Sequence, residues 1–220
     1  MNLKAPFPWF GGKRMVADLV WSRLCEVNTY IEPFAGSLAV LLRSPQIAKM
    51  EIVNDLDCFI ANFWRAVSHD PGAVAAWADW PVNEADLTAR HIWLINQREE
   101  LASRLMADCD YYDTRVAGYW VWGISQWIGS GWCSGDGSWN AVDGKLEKIT
   151  GDGVAKKRPH VTDNQGIIKA IGVTKQLPHL TANIGVNRPL DIYAWFEQIR
   201  NRMARVKVCC GDWTRVANPS

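Results

Sequence analysis

Over residues 15–24 the apolar positions Met15, Val16, Leu19, Val20 and Leu24 recur at helical spacing, which predicts an amphipathic helix after the turn at Gly11-Gly12. Residues 29–34 then read as a short strand stopped by Pro33. Ala35-Gly36-Ser37 is a tight turn opening a second helix through Leu38, Val40, Leu41 and Leu42. A second strand at 50–54 runs into the acidic residues Asp55 and Asp57, and a third helix covers 59–67. This alternation over residues 1–70 is the opening βαβα of a doubly wound α/β sheet.

The strand signal then stops. Helices are predicted at 73–80, 84–106 and 111–127, the middle one rich in charge, and residues 128–183 turn Gly-rich and basic with loops and short turns. A last helix at 191–203 places Ile192, Trp195, Phe196, Ile199 and Met203 on one face. A strand at 205–210 follows and leads into Gly211-Asp212-Trp213. The sheet therefore resumes at the end of the chain, which divides it into a sheet-forming part at 1–70 and 190–220 and an insertion at 71–189.

Composition narrows the class. With 220 residues, 48% of them hydrophobic, 17 Gly and 10 Pro, the chain suits one sizeable globular domain rather than a disordered or collagenous protein. No apolar run approaches the ~18 residues of a spanning helix, and residues 1–13 lack the apolar core of a secretory signal, so a cytoplasmic protein is expected. The six Cys show no C-x-x-C pair and the four His are scattered, so free thiols and no structural metal are expected. A net charge of +1 conceals segment charges of 0, −5 and +6 over residues 1–70, 71–140 and 141–220. The basic last third suits phosphate contacts or, equally, a solvated surface.

Glu32-Pro33-Phe34-Ala35-Gly36-Ser37 sets an acid, a Pro and a Gly in the first strand-to-helix turn, where doubly wound folds bind ligands; the alternative is an ordinary turn. A G-x-G-x-x-G run is missing there, which disfavours nicotinamide cofactors. Asp55 stands where an acid can accept hydrogen bonds from ribose hydroxyls, or serve as a helix cap. Trp9-Phe10-Gly11-Gly12-Lys13 offers close backbone approach, a cation for a carboxylate and aromatics for a flat ring, or else a turn with a core Trp. Five Trp lie between 120 and 139, and Lys156-Lys157-Arg158 follow.

In their order and spacing these motifs resemble the Dam-type site-specific DNA N6-adenine methyltransferases, which carry an aromatic-Gly-Gly-Lys segment, an Asp/Glu-Pro-Phe-x-Gly turn and an acid closing the second strand. Here these are Trp9 to Lys13, Glu32 to Gly36 and Asp55, with Val206 to Trp213 similar to the family's third strand and its Gly-Asp-aromatic end. The resemblance implies a Rossmann-like S-adenosylmethionine-dependent methyltransferase sheet with a mostly helical target-recognition insertion. It implies that Trp9, Phe10, Gly11, Gly12 and Lys13 flank the cofactor, that Glu32, Pro33, Phe34 and Gly36 shape the pocket for its methionine moiety, that Asp55 holds the ribose and that Asp212 lies near the adenine. It implies double-stranded DNA as partner, met by base flipping. Trp132 and the run Lys156, Lys157 and Arg158 are the candidate DNA contacts; core packing and a solvated face are their alternatives.

The family's catalytic Asp-Pro-Pro-Tyr motif has no counterpart in the sequence: Asn218-Pro219-Ser220 lacks the second Pro and the aromatic. The sheet is accordingly expected to be incomplete, ending before a fourth strand, in the order 3-2-1-4-5 with one edge of the strand at 29–34 unpaired. Marginal stability and self-association through that edge are expected. The whole enzyme would serve restriction–modification, replication marking or phage defence evasion in a bacterial or phage-infected cell. The alternative is a catalytically silent DNA- or cofactor-binding remnant; a Trp-rich sugar- or small-molecule-binding module leaves the three N-terminal motifs unexplained.

Overall fold

The strands predicted at the two ends of the chain meet in one sheet. The computed structural model describes residues 3–9, 11–127, 131–133, 139–142, 145–148 and 192–217, with backbone alone over 139–148. Numbered in chain order, β1 (Thr29–Glu32) pairs in parallel with β2 (Met50–Asp55), Tyr30 lying opposite Glu51 and Glu32 opposite Val53. A separate antiparallel hairpin is formed by β3 (Trp139–Val142) and β4 (Lys145–Lys148). β5 (Val206–Cys210) then runs parallel to β2 with Val208 opposite Val53, giving the order β1-β2-β5. Among the described residues β1 is thus an edge strand, as expected, and β2 is central.

Among the described residues six α-helices accompany the strands: α1 (Ala17–Leu24), α2 (Cys58–His69), α3 (Pro71–Ala78), α4 (Glu84–Ala107), α5 (Thr114–Gln126) and α6 (Ile192–Met203). Their starts follow from sequence chemistry. Asp57, Asp70, Asn83 and Asp113 each cap a helix by accepting a backbone N–H two or three residues on, and Pro71 occupies the first position of α3, where no N–H is needed.

α2 is apolar nearly all round and is buried from Cys58 to Val67. It packs on β2 and β5 and on α3, α4, α5 and α6. Its two buried polar side chains are both satisfied. Asn62 Nδ2 donates to the Asp113 carbonyl at 2.8 Å while Asn62 Oδ1 accepts from the Asp113 N–H at 2.8 Å, and Arg65 donates to the carbonyls of Val208, Asp108 and Tyr111. Phe7 from the N-terminal segment lies 4.8 Å from the ring of Trp120 on α5, so the helices after residue 71 share one core with the sheet.

Two expectations are corrected. The helix at 15–24 exists as α1 after a 3₁₀ turn (Lys13–Met15), but its apolar stripe is not the buried face. Met15, Val16, Leu19 and Leu24 are exposed, while Ala17 and Trp21 are buried. The indole decides the orientation: its ring lies tilted against Tyr30 at 4.9 Å and its N–H donates to the Val40 carbonyl at 2.8 Å, contacts available only on the inner side. The helix expected through Leu38 to Leu42 is instead a run of turns and a 3₁₀ turn (Leu41–Arg43). Leu38, with φ of 51°, has a conformation that no α-helix accommodates, yet it is fully buried, and packing overrides its helix propensity.

α6 behaves as its pattern predicts, burying Ile192, Phe196, Ile199 and Met203. It also inserts Arg202, whose guanidinium donates to Glu51 Oε2 at 2.7 Å, to Glu51 Oε1 at 2.9 Å and to the Leu41 carbonyl at 3.3 Å. Both side chains are almost fully buried. Arg202→Met strands the Glu51 carboxylate, and we predict a loss of about 3–5 kcal/mol in denaturant unfolding, with much of it recovered in Arg202→Met/Glu51→Leu. A loss below about 1 kcal/mol in the single variant would mean that water reaches Glu51 and that the pair does not join the chain ends.

Candidate functional site

Ligands of parallel α/β sheets bind beyond the carboxyl ends of the strands, and there the structure has a cavity of about 220 Å³. Its lining comes from the two N-terminal motifs and the end of β2: Trp9, Gly11, Gly12 and Lys13; Glu32 and Phe34 to Ser37; Ala39; and Asp55. The sequence-predicted residues are therefore brought together. Phe10, also expected there, lies outside the described residues, as do Lys156, Lys157 and Arg158.

Glycine is required where backbone and indole meet. Gly36 has φ of 48°, and a Cβ on it would stand 2.6 Å from Trp9 Cδ1 and 2.8 Å from Nε1. A Cβ on Gly12 would stand 3.0 Å from the Trp9 carbonyl oxygen. The Trp9 ring thus lies over the bare backbone of the β1 turn. The Gly36 carbonyl is held from the other side by Trp64 Nε1 at 2.8 Å.

Charge is concentrated and poorly solvated. Lys13 Nζ lies 3.6 Å from Glu32 Oε1 and donates to the Phe34 carbonyl at 3.3 Å. Glu32 is buried, which pushes its carboxyl above the ordinary range; Lys13, the Tyr30 hydroxyl and the Leu41 N–H pull it back down. Asp55 is raised by burial as well, against the N–H groups of Gly36, Asp57 and Leu56 and the charge of Lys13. Its Oδ2 accepts from Gly36 at 2.8 Å and its Oδ1 from Asp57 at 3.0 Å. Asp55 is therefore a clamp on the β1 turn as well as a wall of the cavity. Pro33 contributes its carbonyl, which accepts from Asn54 Nδ2 at 3.1 Å.

Two further residues belong with this end of the sheet. Leu56 follows β2 and is 74% exposed, Trp213 follows β5 and is 47% exposed, and Phe34 after β1 is 63% exposed. Each strand end thus carries a large exposed apolar side chain. Leu56 directly follows Asp55, the last residue of β2, and Trp213 directly follows Asp212, the cap of the turn after β5; an apolar residue there is a sequence signal, since turns are ordinarily polar. Asp212 is exposed and caps the 3₁₀ turn Trp213–Arg215, accepting at Oδ1 from the Thr214 N–H at 2.9 Å. It does not line the cavity.

Trp132, expected on the DNA face, is buried. Its Nε1 donates to the Trp120 carbonyl at 3.1 Å, and its ring packs on His91 and Trp127 and over Gly123. The nearby His91 is buried too, which pushes its imidazole down to about 4.

Residues 9–149 match the profile of the D12 class N6 adenine-specific DNA methyltransferases. The chain belongs to that family. No curated protein matches it. The matched segment contains the whole cavity lining and the helices α1 to α5. D12 membership makes DNA adenine methylation the reaction of the family in which these residues occur, with DNA as substrate. Among the described residues no helix is long and apolar enough to cross a membrane.

Gly36→Ala tests the glycine cradle. The added methyl meets the Trp9 ring and the left-handed backbone opposes it, so we predict a loss of about 1–3 kcal/mol on urea unfolding together with a changed Trp9 environment in fluorescence. A variant as stable as the parent would show that the indole swings aside freely.

Proposed function

We propose that this cleft binds S-adenosylmethionine, and that the chain is the cofactor-holding part of a site-specific methyltransferase acting on adenine N6 in duplex DNA. The observation that carries the reading is the pairing of two glycines packed against Trp9, Gly36 against its indole and Gly12 against its carbonyl, with the buried Glu32 and its partner Lys13 in one cavity of a D12-family chain. A zwitterionic amino-acid end suits that pair: its ammonium toward Glu32, its carboxylate toward Lys13. The Asp55 carboxylate has about four lone-pair sites, more than its backbone N–H donors take, which leaves acceptor capacity for a ribose hydroxyl. Phe34, Leu56 and Trp213 offer apolar surface for a flat ring.

When bound, the cofactor supplies an electrophilic methyl group. The chain's own residues position and screen it. Transfer to adenine in a duplex also requires the base to be flipped out and its amino group to be held by polar acceptors, and the sequence contains no Asp-Pro-Pro-Tyr run for that task. This favours a second reading, in which the chain binds cofactor or DNA and works by occupancy. Lys156, Lys157 and Arg158 remain the proposed DNA contacts, through phosphates.

Calorimetry with S-adenosylmethionine, and a methyl-transfer assay on adenine-containing duplex, separate these readings. Binding is expected, weakened about tenfold by Lys13→Ala. Methyl transfer would place the missing acceptors within these 220 residues. A folded sample that binds no cofactor overturns the proposal.

Among the described residues β1 is an edge strand, and with Ile31 exposed on it and Leu19 and Met15 exposed on the preceding segment this favours self-association of the chain. Sedimentation at micromolar concentration should show oligomers that Ile31→Lys reduces; a clean monomer with the parent sequence refutes this.

A further inference from the structure

Glu32 sits in the cavity wall because of a residue that never reaches it. Tyr30 and Glu32 are two apart on β1 and so project to the same face of the sheet. The Tyr30 hydroxyl, buried, donates to Glu32 Oε2 at 2.9 Å, and Oε1 is the oxygen left facing Lys13. The tyrosine is itself fixed: its ring lies against Trp21, whose Nε1 is tied to the Val40 carbonyl. Tyr30 does not line the cavity.

We propose that Tyr30 is a positioning residue that holds the Glu32 carboxylate ionised and oriented for the cationic end of the ligand, an inference that rests on the cofactor reading above. The groups facing Glu32 are few. They are Tyr30 on β1, Lys13 on the turn before α1 and the N–H of Leu41 on the turn after β1, with Glu51 and Arg202 behind Tyr30 and Asp55 beyond Lys13. Burial raises the Tyr30 phenol far above its ordinary range, so it remains a donor throughout the titration of Glu32.

The sign follows. A donor to the charged carboxylate lowers the Glu32 pKa; removing it raises that pKa, and Glu32 then takes up a proton at higher pH. Binding that needs the ionised carboxylate is lost as pH falls through this pKa, so its acid limb moves upward when the hydroxyl is removed.

Tyr30→Phe keeps the ring against Trp21 and deletes the hydroxyl. Two readings are made on the full chain. Carbon-13 titration of the Glu32 carboxyl, without ligand, should show its midpoint displaced upward in Tyr30→Phe by about one pH unit. S-adenosylmethionine calorimetry across pH should show binding weakened up to about tenfold on the acid side of the Glu32 midpoint, with the acid limb displaced in the same direction. Glu32→Gln should remove the acid limb, and Tyr30→Phe should then add no further loss. An unmoved Glu32 midpoint in folded Tyr30→Phe overturns the inference, as does an equal loss of binding in the Glu32→Gln background, since either makes the hydroxyl purely structural. A displaced midpoint in a chain that binds no S-adenosylmethionine supports the role of Tyr30 and sinks the cofactor reading alone. Should Tyr30→Phe unfold, Trp21→Phe, which loosens the tyrosine without removing its hydroxyl, is expected to displace the midpoint upward by a smaller amount, and no displacement there counts against the proposal.

Discussion

Everything at the carboxyl end of the sheet depends on how Asn54 and Asp55 end β2. The Asn54 carbonyl accepts from the Ala35 N–H at 2.8 Å, and its Nδ2 donates to the carbonyls of Pro33 and Gly211 at 3.1 and 2.9 Å. The Asp55 carbonyl accepts from Gly211, while its carboxylate accepts from Gly36 and Asp57. Two consecutive residues thereby bind the turn after β1 and the turn after β5 to the central strand. The constraint has a cost. Asn54 Oδ1 is buried with no partner among the described residues, an expense of about 1–3 kcal/mol, and the Asp55 carboxylate is desolvated. Burying these groups unpaired would be worse, since each backbone N–H they satisfy would otherwise be an orphan in the same place.

The electrostatics of the cleft follow from that geometry. Glu32 and Asp55 are both raised by burial, so each carboxylate stands in a region that disfavours its charge. Lys13 is the cation that acts on both. It is partly exposed and reaches over the cavity, whereas the donors around Asp55 are backbone groups that cannot move away. The clamp is built from backbone donors and the counter-charge from an exposed side chain. Lys13 also touches the turn, through the Phe34 carbonyl, but Asp55 holds it through two backbone N–H groups, so a change at Asp55 disturbs turn and cavity together.

Much of this was legible in the sequence because its signals are local. The motifs at Trp9 to Lys13 and Glu32 to Gly36 and the acid at Asp55 carry their own turn chemistry, and the cavity assembles from them. The helix starts at Asp57, Asp70, Asn83 and Asp113 are caps readable within four residues. What failed to show was set by partners far along the chain. The apolar stripe of α1 points outward because Trp21 meets Tyr30 and Val40, and Leu38 leaves the helical region because the core holds it. Glu51 and Arg202 are 151 residues apart, and each alone reads as a solvated charge. Tyr30 reads as a core aromatic, and only the register of β1 with the turn reveals its hydroxyl on Glu32.

The tryptophans make the same point from the other direction. Trp132 was the candidate contact in a Trp-rich stretch, with core packing as its alternative, and among the described residues both Trp132 and Trp77 are backed by glycines. On α5 a Cβ at Gly118 would stand 2.3 Å from Trp77 Cβ, and one at Gly123 would stand 1.8 Å from Trp132 Cζ2. Each glycine costs its helix about 1 kcal/mol of propensity, yet each lets a large apolar surface close against the backbone, a larger gain at about 25 cal/mol per Å². Trp120 and Trp122, on the same helix, are buried against Phe7, Phe63 and Arg90. Density of an aromatic along a sequence therefore says little about exposure until its small neighbours are counted with it. At Trp9 the same device, an indole over a glycine, lies at the cleft, where the tryptophan forms part of the lining.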